Sequence, residues 1–355
     1  MTLLLIYSVF LLVATLVWHY APQQSHLKGY EKVSAIIVVR NEEQNIVTLL
    51  ESLKNQTYSN FEVIVVDDGS DDDTVNLIQN FNLKNLKLLH LTNEERKNAP
   101  KKAGIEKAIR NSEGSIIFST DGDCKLPSKI IENYADFFSN PKVHFISGPV
   151  TFIKEKTLWN NIQIVEFASL VGSAAVAIFL KNPIMSSAAN LAYRKTSFLE
   201  VNGFQGNDEL ASGDDEFLMN KINKTYKDSV IFAKNKECIV ETKATENLTQ
   251  FYNQRKRWAG KWGASINWIS KITAILIFAV NAVTIYFAMT GNWKILLFRL
   301  ITEFIFLGSV LHFLNKKSSI WFIPITQLFY PFYIVFFGLI SLIPREYEWK
   351  GRKLR

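Results

Sequence analysis

Apolar residues crowd the two ends of the chain, and charged residues crowd its middle. Residues 3–20 read LLLIYSVFLLVATLVWHY. At about 1.5 Å per residue a helix of that length just spans a bilayer. No Lys or Arg precedes it and no small-x-small cleavage site follows it, so it reads as an uncleaved anchor rather than a signal peptide. Trp18 and Tyr20 suit an interface, and Lys28, Lys32 and Arg40 follow, which puts residue 28 onward in the cytoplasm. Near the other end, residues 266–288, 295–314 and 320–343 form three more apolar stretches. Arg299 and Glu303 interrupt the second; four apart, they can pair on one helix face, turned toward the bundle or a substrate path. Pro324 and Pro331 predict a bend in the third. The expected layout is an anchor at 1–22, a cytoplasmic domain at 30–262, a block of about three helices at 263–345 and a basic tail at 346–355. Four crossings would leave that tail outside, whereas its charge prefers the inside, so the span count stays open by one.

Between these ends the pattern changes period. Val33–Val39, Phe61–Val66, Leu86–His90 and Ser115–Ser119 are short runs rich in β-branched and aliphatic residues. Helical spacing follows each of the first three: Ile46, Leu49, Leu50 and Leu53; then Thr74 to about Phe81; then Ala103 to Arg110. Strands apolar on both faces, alternating with helices, predict a doubly wound, mostly parallel α/β sheet. Residues 143–152 read as a further strand, 186–194 as a short strand or turn, and 229–241 as one or two strands. Residues 158–180 are long and apolar around Glu166, either a helix packed under the site or a segment near the membrane.

Composition narrows the class. Hydrophobic residues make up 48% of the chain, with 26 Phe, and their uneven spread marks a membrane protein with a soluble body. The net charge of +7 suits cytoplasmic and phospholipid-facing surfaces. Basic residues of the soluble part are interleaved with acids, which excludes the basic stripe a nucleic acid needs. Cys124 and Cys238 are the only cysteines, too few for a disulfide framework or a zinc site. Abundant Lys, Asn, Ile and Phe point to a bacterial, AT-rich genome.

Each predicted strand ends in a polar cluster, and a parallel sheet gathers such clusters at one edge. Arg40, Asn41 and Glu42 follow the first strand and can hydrogen-bond a base. Asp67 and Asp68 follow the second and can accept from an imide N–H or sugar hydroxyls. Asp121-Gly122-Asp123 follows the fourth; two carboxylates one residue apart can share a divalent cation and so neutralise a diphosphate. Neither Gly-x-Gly-x-x-Gly nor Gly-Lys-Ser/Thr occurs, so no glycine cradle is available for phosphate. Lys97, Lys101 and Lys102 lie before the third helix and either meet a diphosphate or ribose or form a wet basic loop. In Ser212-Gly213-Asp214-Asp215-Glu216, Ser212 or Asp214 can cap a helix from Glu216. Gln254-Arg255-Lys256-Arg257-Trp258 reads equally as an interfacial belt or as a phosphate-and-sugar contact.

Val65-Val66-Asp67-Asp68-Gly69-Ser70, Asp121-Gly122-Asp123, Gly213-Asp214-Asp215 and Gln254-x-x-Arg257-Trp258 occur in that order. The ordered set resembles family 2 glycosyltransferases with a GT-A fold, of the membrane-anchored inverting kind, which include ceramide glucosyltransferase and the hyaluronan, chitin, cellulose and poly-N-acetylglucosamine synthases. The resemblance covers roughly residues 30–262. It implies a nucleotide-sugar site at Arg40, Asn41, Glu42, Asp67, Asp68, Lys102 and Asp121. It implies Mg²⁺ or Mn²⁺ at Asp121 and Asp123, and Asp215 as general base. Asp214, Gln254, Arg257 and Trp258 would hold the acceptor and the diphosphate. The lysine-rich stretch Lys101-Lys102-Ala103 matches the family's Gly-Lys-x-x-Ala-Leu segment only loosely. The implied partners are a nucleotide diphosphate sugar, a UDP-sugar first, and the phospholipid bilayer. The acceptor would be a membrane lipid or a growing glycan, the latter with a helper subunit. The implied location is a bacterial inner membrane with the catalytic domain in the cytoplasm.

Overall fold

The computed structural model describes residues 1–21, 27–96, 99–207, 213–264, 268–341, 347–349 and 352–354. In chain order the helices are α1 (Thr2–Tyr20), α2 (Ile46–Lys54), α3 (Thr74–Gln79), α4 (Pro100–Arg110), α5 (Ile130–Phe138) and α6 (Leu158–Phe179). They continue with α7 (Lys195–Glu200), α8 (Asp214–Thr225), α9 (Leu248–Ala264), α10 (Trp268–Met289), α11 (Trp293–Phe313) and α12 (Ile323–Ile340). The strands are β1 (Val33–Val39), β2 (Phe61–Asp67), β3 (Leu86–His90), β4 (Ile116–Asp121), β5 (Phe145–Ser147), β6 (Val150–Phe152), β7 (Leu191–Arg194), β8 (Val230–Phe232) and β9 (Val240–Thr242). The chain packs as two compact units, each built from separated stretches.

The first unit (Gln23–Val150, Met185–Lys243 and Glu348–Arg355) holds a seven-stranded sheet in the order β3-β2-β1-β4-β7-β5-β8. β1, β2, β3 and β4 run parallel, as their two-sided apolar sequences predict. Every residue of β1 except Val38 is buried, as is β2 beyond Phe61. The fully covered Val and Ile side chains among them stabilise the fold by roughly 1.5–3 kcal/mol each. β7 departs from the parallel plan: it runs antiparallel to both β4 and β5. The stretch 143–152 is two strands rather than one, because Gly148-Pro149 interrupts it. Pro149 has no N–H for a ladder, and Gly148 lies hard against the Tyr134 hydroxyl and Asn190.

The second unit (Met1–Pro22, Thr151–Ile184 and Ala244–Tyr347) holds the long apolar helices. Among the described residues, five helical stretches are long and apolar enough to cross a membrane: Thr2–Tyr20, Leu158–Phe179, Trp268–Met289, Trp293–Phe313 and Lys317–Ile340. The helix over 158–179 is the one whose role the sequence left open. A Cβ on its Gly172 would stand 2.8 Å from Val310 and 2.9 Å from Phe306, so α6 packs closely on α11 where only glycine fits. The last apolar stretch is a 3₁₀ turn, Lys317–Phe322, leading into α12 with Pro331 inside it. Arg299 and Glu303 pair as their spacing predicts, Nε to Oε1 at 2.9 Å. Tyr7 of α1 donates to the same carboxylate at 3.1 Å, and Asn281 and Thr284 of α10 accept from the guanidinium. Every charge in this buried cluster is answered, as burial demands.

Candidate active site

Parallel strands deliver their C-terminal ends to one edge, and the acidic residues of β2, β4 and the loops beyond lie there. The turn after β1 is fastened to the turn after β2. Arg40 donates through Nη1 to the carbonyls of Asp68 (2.8 Å) and Gly69 (2.6 Å). Asn41, with φ of 50°, donates through its backbone N–H to Ser70 Oγ at 3.0 Å and through its amide to Asp71 at 2.6 Å. The Glu42 N–H donates to Thr74 Oγ1 at 2.7 Å. Asp67 accepts from the N–H groups of Gly69 and Ser70, at 2.9 and 3.0 Å, and so shapes its own turn. Asp68 is fully buried and faces Arg96, whose Nε is 3.7 Å from Oδ1. These five residues therefore build the two turns, and the backbone between them forms this end of the edge.

β4 runs two residues beyond its predicted end, so Asp121 closes the strand. Its carboxylate meets Lys101 of α4: Nζ is 2.7 Å from Oδ1. The same ammonium stands 3.3 Å from Asp214 Oδ2, so one lysine bridges β4 and α8. Burial disfavours the charge on Lys101, but the carboxylates of Asp121, Asp214 and Asp215 outweigh it and raise its pKa above the ordinary lysine value. Asp123 lies at the start of the next turn and accepts from Thr242 Oγ1 at 2.9 Å. Lys102 is directed elsewhere: its Nζ donates to the Asn207 carbonyl at 2.6 Å, between the rings of Phe204 and Phe217. Lys102 is only 3% exposed. Of the lysines weighed from sequence, Lys101 is the one beside the carboxylates, and Lys97 lies outside the described residues.

α8 begins at Asp214, two residues before the expected start. Its N-cap is Gly213, with φ of +84°, a left-handed conformation that suits glycine. Ser212, the other expected cap, lies outside the described residues, and Asp214 sits inside the helix rather than capping it. Asp214, Asp215 and Glu216 all occupy the first turn, where the helix dipole favours anions. Asp215 is 5% exposed; its Oδ2 accepts from the Ala188 N–H at 3.2 Å and its Oδ1 from the Glu216 N–H at 2.8 Å.

Gln254, Arg257 and Trp258 lie on α9, in the unit of long helices. The buried cation of that helix is Arg255. Its guanidinium donates to both oxygens of Glu166 on α6, and Tyr333 of α12 donates to Oε1 of the same carboxylate at 3.0 Å. The rings of Phe251 and Trp258 cover it at 4.4 and 4.3 Å. The spacing of Phe251, Arg255 and Trp258 (i, i+4, i+7) is a signal for this shared face.

Both cysteines are buried, and burial raises their thiols above the ordinary range, which disfavours the thiolate. Among the described residues no three His, Cys, Asp or Glu side chains surround a metal position. The two hard carboxylates of Asp121 and Asp123 still fit a cation of the Mg²⁺ type, which takes one or two carboxylates and completes its shell with water and phosphate.

Residues 34–201 match the family model Glycosyl transferase family 2. Glycosyltransferase AglE of Haloferax volcanii is 36% identical over 124 residues, 34% of this chain and 40% of that protein. The poly-beta-1,6-N-acetyl-D-glucosamine synthase of Staphylococcus epidermidis is 25% identical over 189 residues, 52% of this chain and 44% of that protein. The chain thus spans less than half the length of either relative. Among solved structures, the mannosyltransferase PcManGT from Pyrobaculum calidifontis, in complex with GDP-Man and Mn²⁺, superposes with a TM-score of 0.57 at 16% identity, covering 92% of this chain and 98% of that one. That likeness is one of fold, with the same mostly parallel sheet flanked by helices. Residues 34–201, which carry β1, β2 and the Asp-x-Asp turn, are thus a glycosyltransferase family 2 segment, in a chain whose described residues also include long apolar helices.

Proposed function

We propose that the protein transfers a sugar from a nucleotide diphosphate sugar to a membrane lipid or lipid-linked acceptor, with inversion at the anomeric carbon. The observation that carries this reading is the joining of Asp121, at the end of β4, to Asp214, at the start of α8, through Lys101, with Asp215 next in line. An acidic strand end and an acidic helix start then share one locus, as an in-line displacement needs: leaving-group contacts on one side and a base on the other. Asp215 is the general base. Its carboxylate is oriented by the Ala188 and Glu216 N–H groups and removes the acceptor hydroxyl's proton as the oxygen attacks. Lys101 supplies positive charge near the departing diphosphate. Asp121 and Asp123 would hold a divalent cation, Mg²⁺ or Mn²⁺, which when bound neutralises the diphosphate. The turns after β1 and β2 hold the nucleotide, and Gln254, Arg257 and Trp258 the acceptor side. The long apolar helices favour an acceptor in the bilayer of a bacterial inner membrane, with the catalytic unit on the cytoplasmic side.

Membranes containing the protein, incubated with radiolabelled UDP- and GDP-sugars and Mg²⁺ or Mn²⁺, test the reading. An organic-extractable product supports transfer to lipid. A large polymer would move the assignment to the polysaccharide synthases, whose S. epidermidis member is among the relatives. Transfer from no donor would sink the enzymatic reading.

A further inference from the structure

We propose that Lys101 is the donor-free enzyme's own counter-ion at Asp121, competing with the divalent cation for that carboxylate and passing to the diphosphate when the donor arrives. The inference rests on the nucleotide-sugar reading above. Nζ of Lys101 is 2.7 Å from Asp121 Oδ1 and 3.3 Å from Asp214 Oδ2. Within the trio, the Asp121 side chain is 36% exposed, that of Lys101 21% and that of Asp214 9%. Asp121 is therefore the member that a ligand reaches first. A cation approaching it meets a positive charge already in place, in a partly covered position where water and salt screen little. Either the ammonium withdraws or the cation binds weakly. A diphosphate changes the balance, because its oxygens give the lysine charge-assisted hydrogen bonds of the same strength as those it leaves. The unbranched four-carbon stem allows that movement. Lys102 offers no such freedom, fixed on the Asn207 carbonyl between two rings. Cation and diphosphate consequently bind better together than apart, and the coupling is reciprocal. No covalent bond changes in this exchange.

The test is a Mn²⁺ titration of the purified full chain in detergent, without nucleotide and then with saturating UDP or GDP, following free Mn²⁺ by electron paramagnetic resonance. Lys101→Met and Lys101→Gln should each tighten Mn²⁺ binding without nucleotide by about fivefold or more, and shrink the enhancement by nucleotide, while Lys101→Arg stays within about twofold of the parent. The Gln variant keeps a polar side chain and serves where Met fails to fold, with size-exclusion elution as the check. Unchanged or weaker Mn²⁺ binding in folded Met or Gln variants overturns the proposal, as does a parent chain that binds Mn²⁺ equally with and without nucleotide. The outcomes separate the two readings. Mn²⁺ competition without sugar transfer from any donor sinks the transferase assignment alone. Transfer with Mn²⁺ affinity indifferent to residue 101 sinks the competition alone.

Discussion

Asp215 and Lys102 pose the sharpest questions at the scale of single residues. Asp215→Asn keeps the shape of the side chain and its place at the start of α8 but removes the proposed base. Sugar transfer should fall by about 10²–10⁴-fold, the range that positioned proton transfer supplies. Donor binding, followed by protection of the protein against heat, should persist. Full activity in the Asn variant would remove Asp215 from the mechanism. Lys102 tests the opposite expectation. Lys102→Met leaves the Asn207 carbonyl without its charged donor and should cost about 2 kcal/mol, the scale of a hydrogen bond to a charged group. The loss should appear as a lower apparent Tm, with the donor KM little changed; a raised KM at unchanged Tm would return Lys102 to the nucleotide site. The order of these two lysines was partly legible. Lys102, Ile105 and Ile109 share one helical face, and all three are buried, so the apolar period already marks Lys102 as an inward side chain. That Lys101 reaches both Asp121 and Asp214 was not legible, because it depends on where α8 comes to lie. The acidic turns were readable as strand ends. Their use of Arg40, Asn41 and Asp67 as fasteners depends on two turns 28 residues apart in sequence lying side by side.

Among the elements, α9 has the most to explain. Its Arg255 and the Glu166 of α6 are 2% and 6% exposed, a buried pair with a tyrosine hydroxyl completing it. Breaking such a pair strands a charge and typically costs about 3–5 kcal/mol, whereas replacing both partners with apolar groups is often neutral. Arg255→Met alone should therefore lower the yield and thermal stability of detergent-extracted protein sharply. Glu166→Leu combined with Arg255→Met should recover most of the loss. Equal damage from the single and double variants would show that the pair does more than answer its own charges. Glu166 was visible in the sequence as a misfit in an apolar run, but its partner was not, since 89 residues separate them. β7 shows the same limit. The parallel strands declare themselves by two-sided apolar runs, but four residues, Leu191–Arg194, carry no information about direction.

At the scale of the whole molecule, the catalytic sheet is interrupted in sequence by a piece of the other unit. Thr151–Ile184 belongs with the long helices, yet β7 and β8, which complete the sheet, lie beyond it. A fragment of residues 27–243 cannot omit α6 without losing strands. It should remain in the membrane or detergent fraction after a high-salt wash, although it lacks α1 and α9–α12. A soluble, monodisperse fragment would show that α6 needs neither lipid nor its bundle. The layered pattern of apolar ends and charged middle was plain from the sequence, whereas this interleaving became visible only in the packing. The cluster around Glu303 adds a matter of timing. Tyr7 hydrogen-bonds a carboxylate 296 residues away. A ribosome adding about 5–20 residues per second takes roughly 15–60 s to cover that distance. For that interval the Tyr7 phenol lacks this partner, and the last strand of the seven-stranded sheet, ending at Phe232, is made before Glu303. A chain stalled between Phe232 and Glu303 therefore carries every strand of that sheet while its first helix has not met its polar partner.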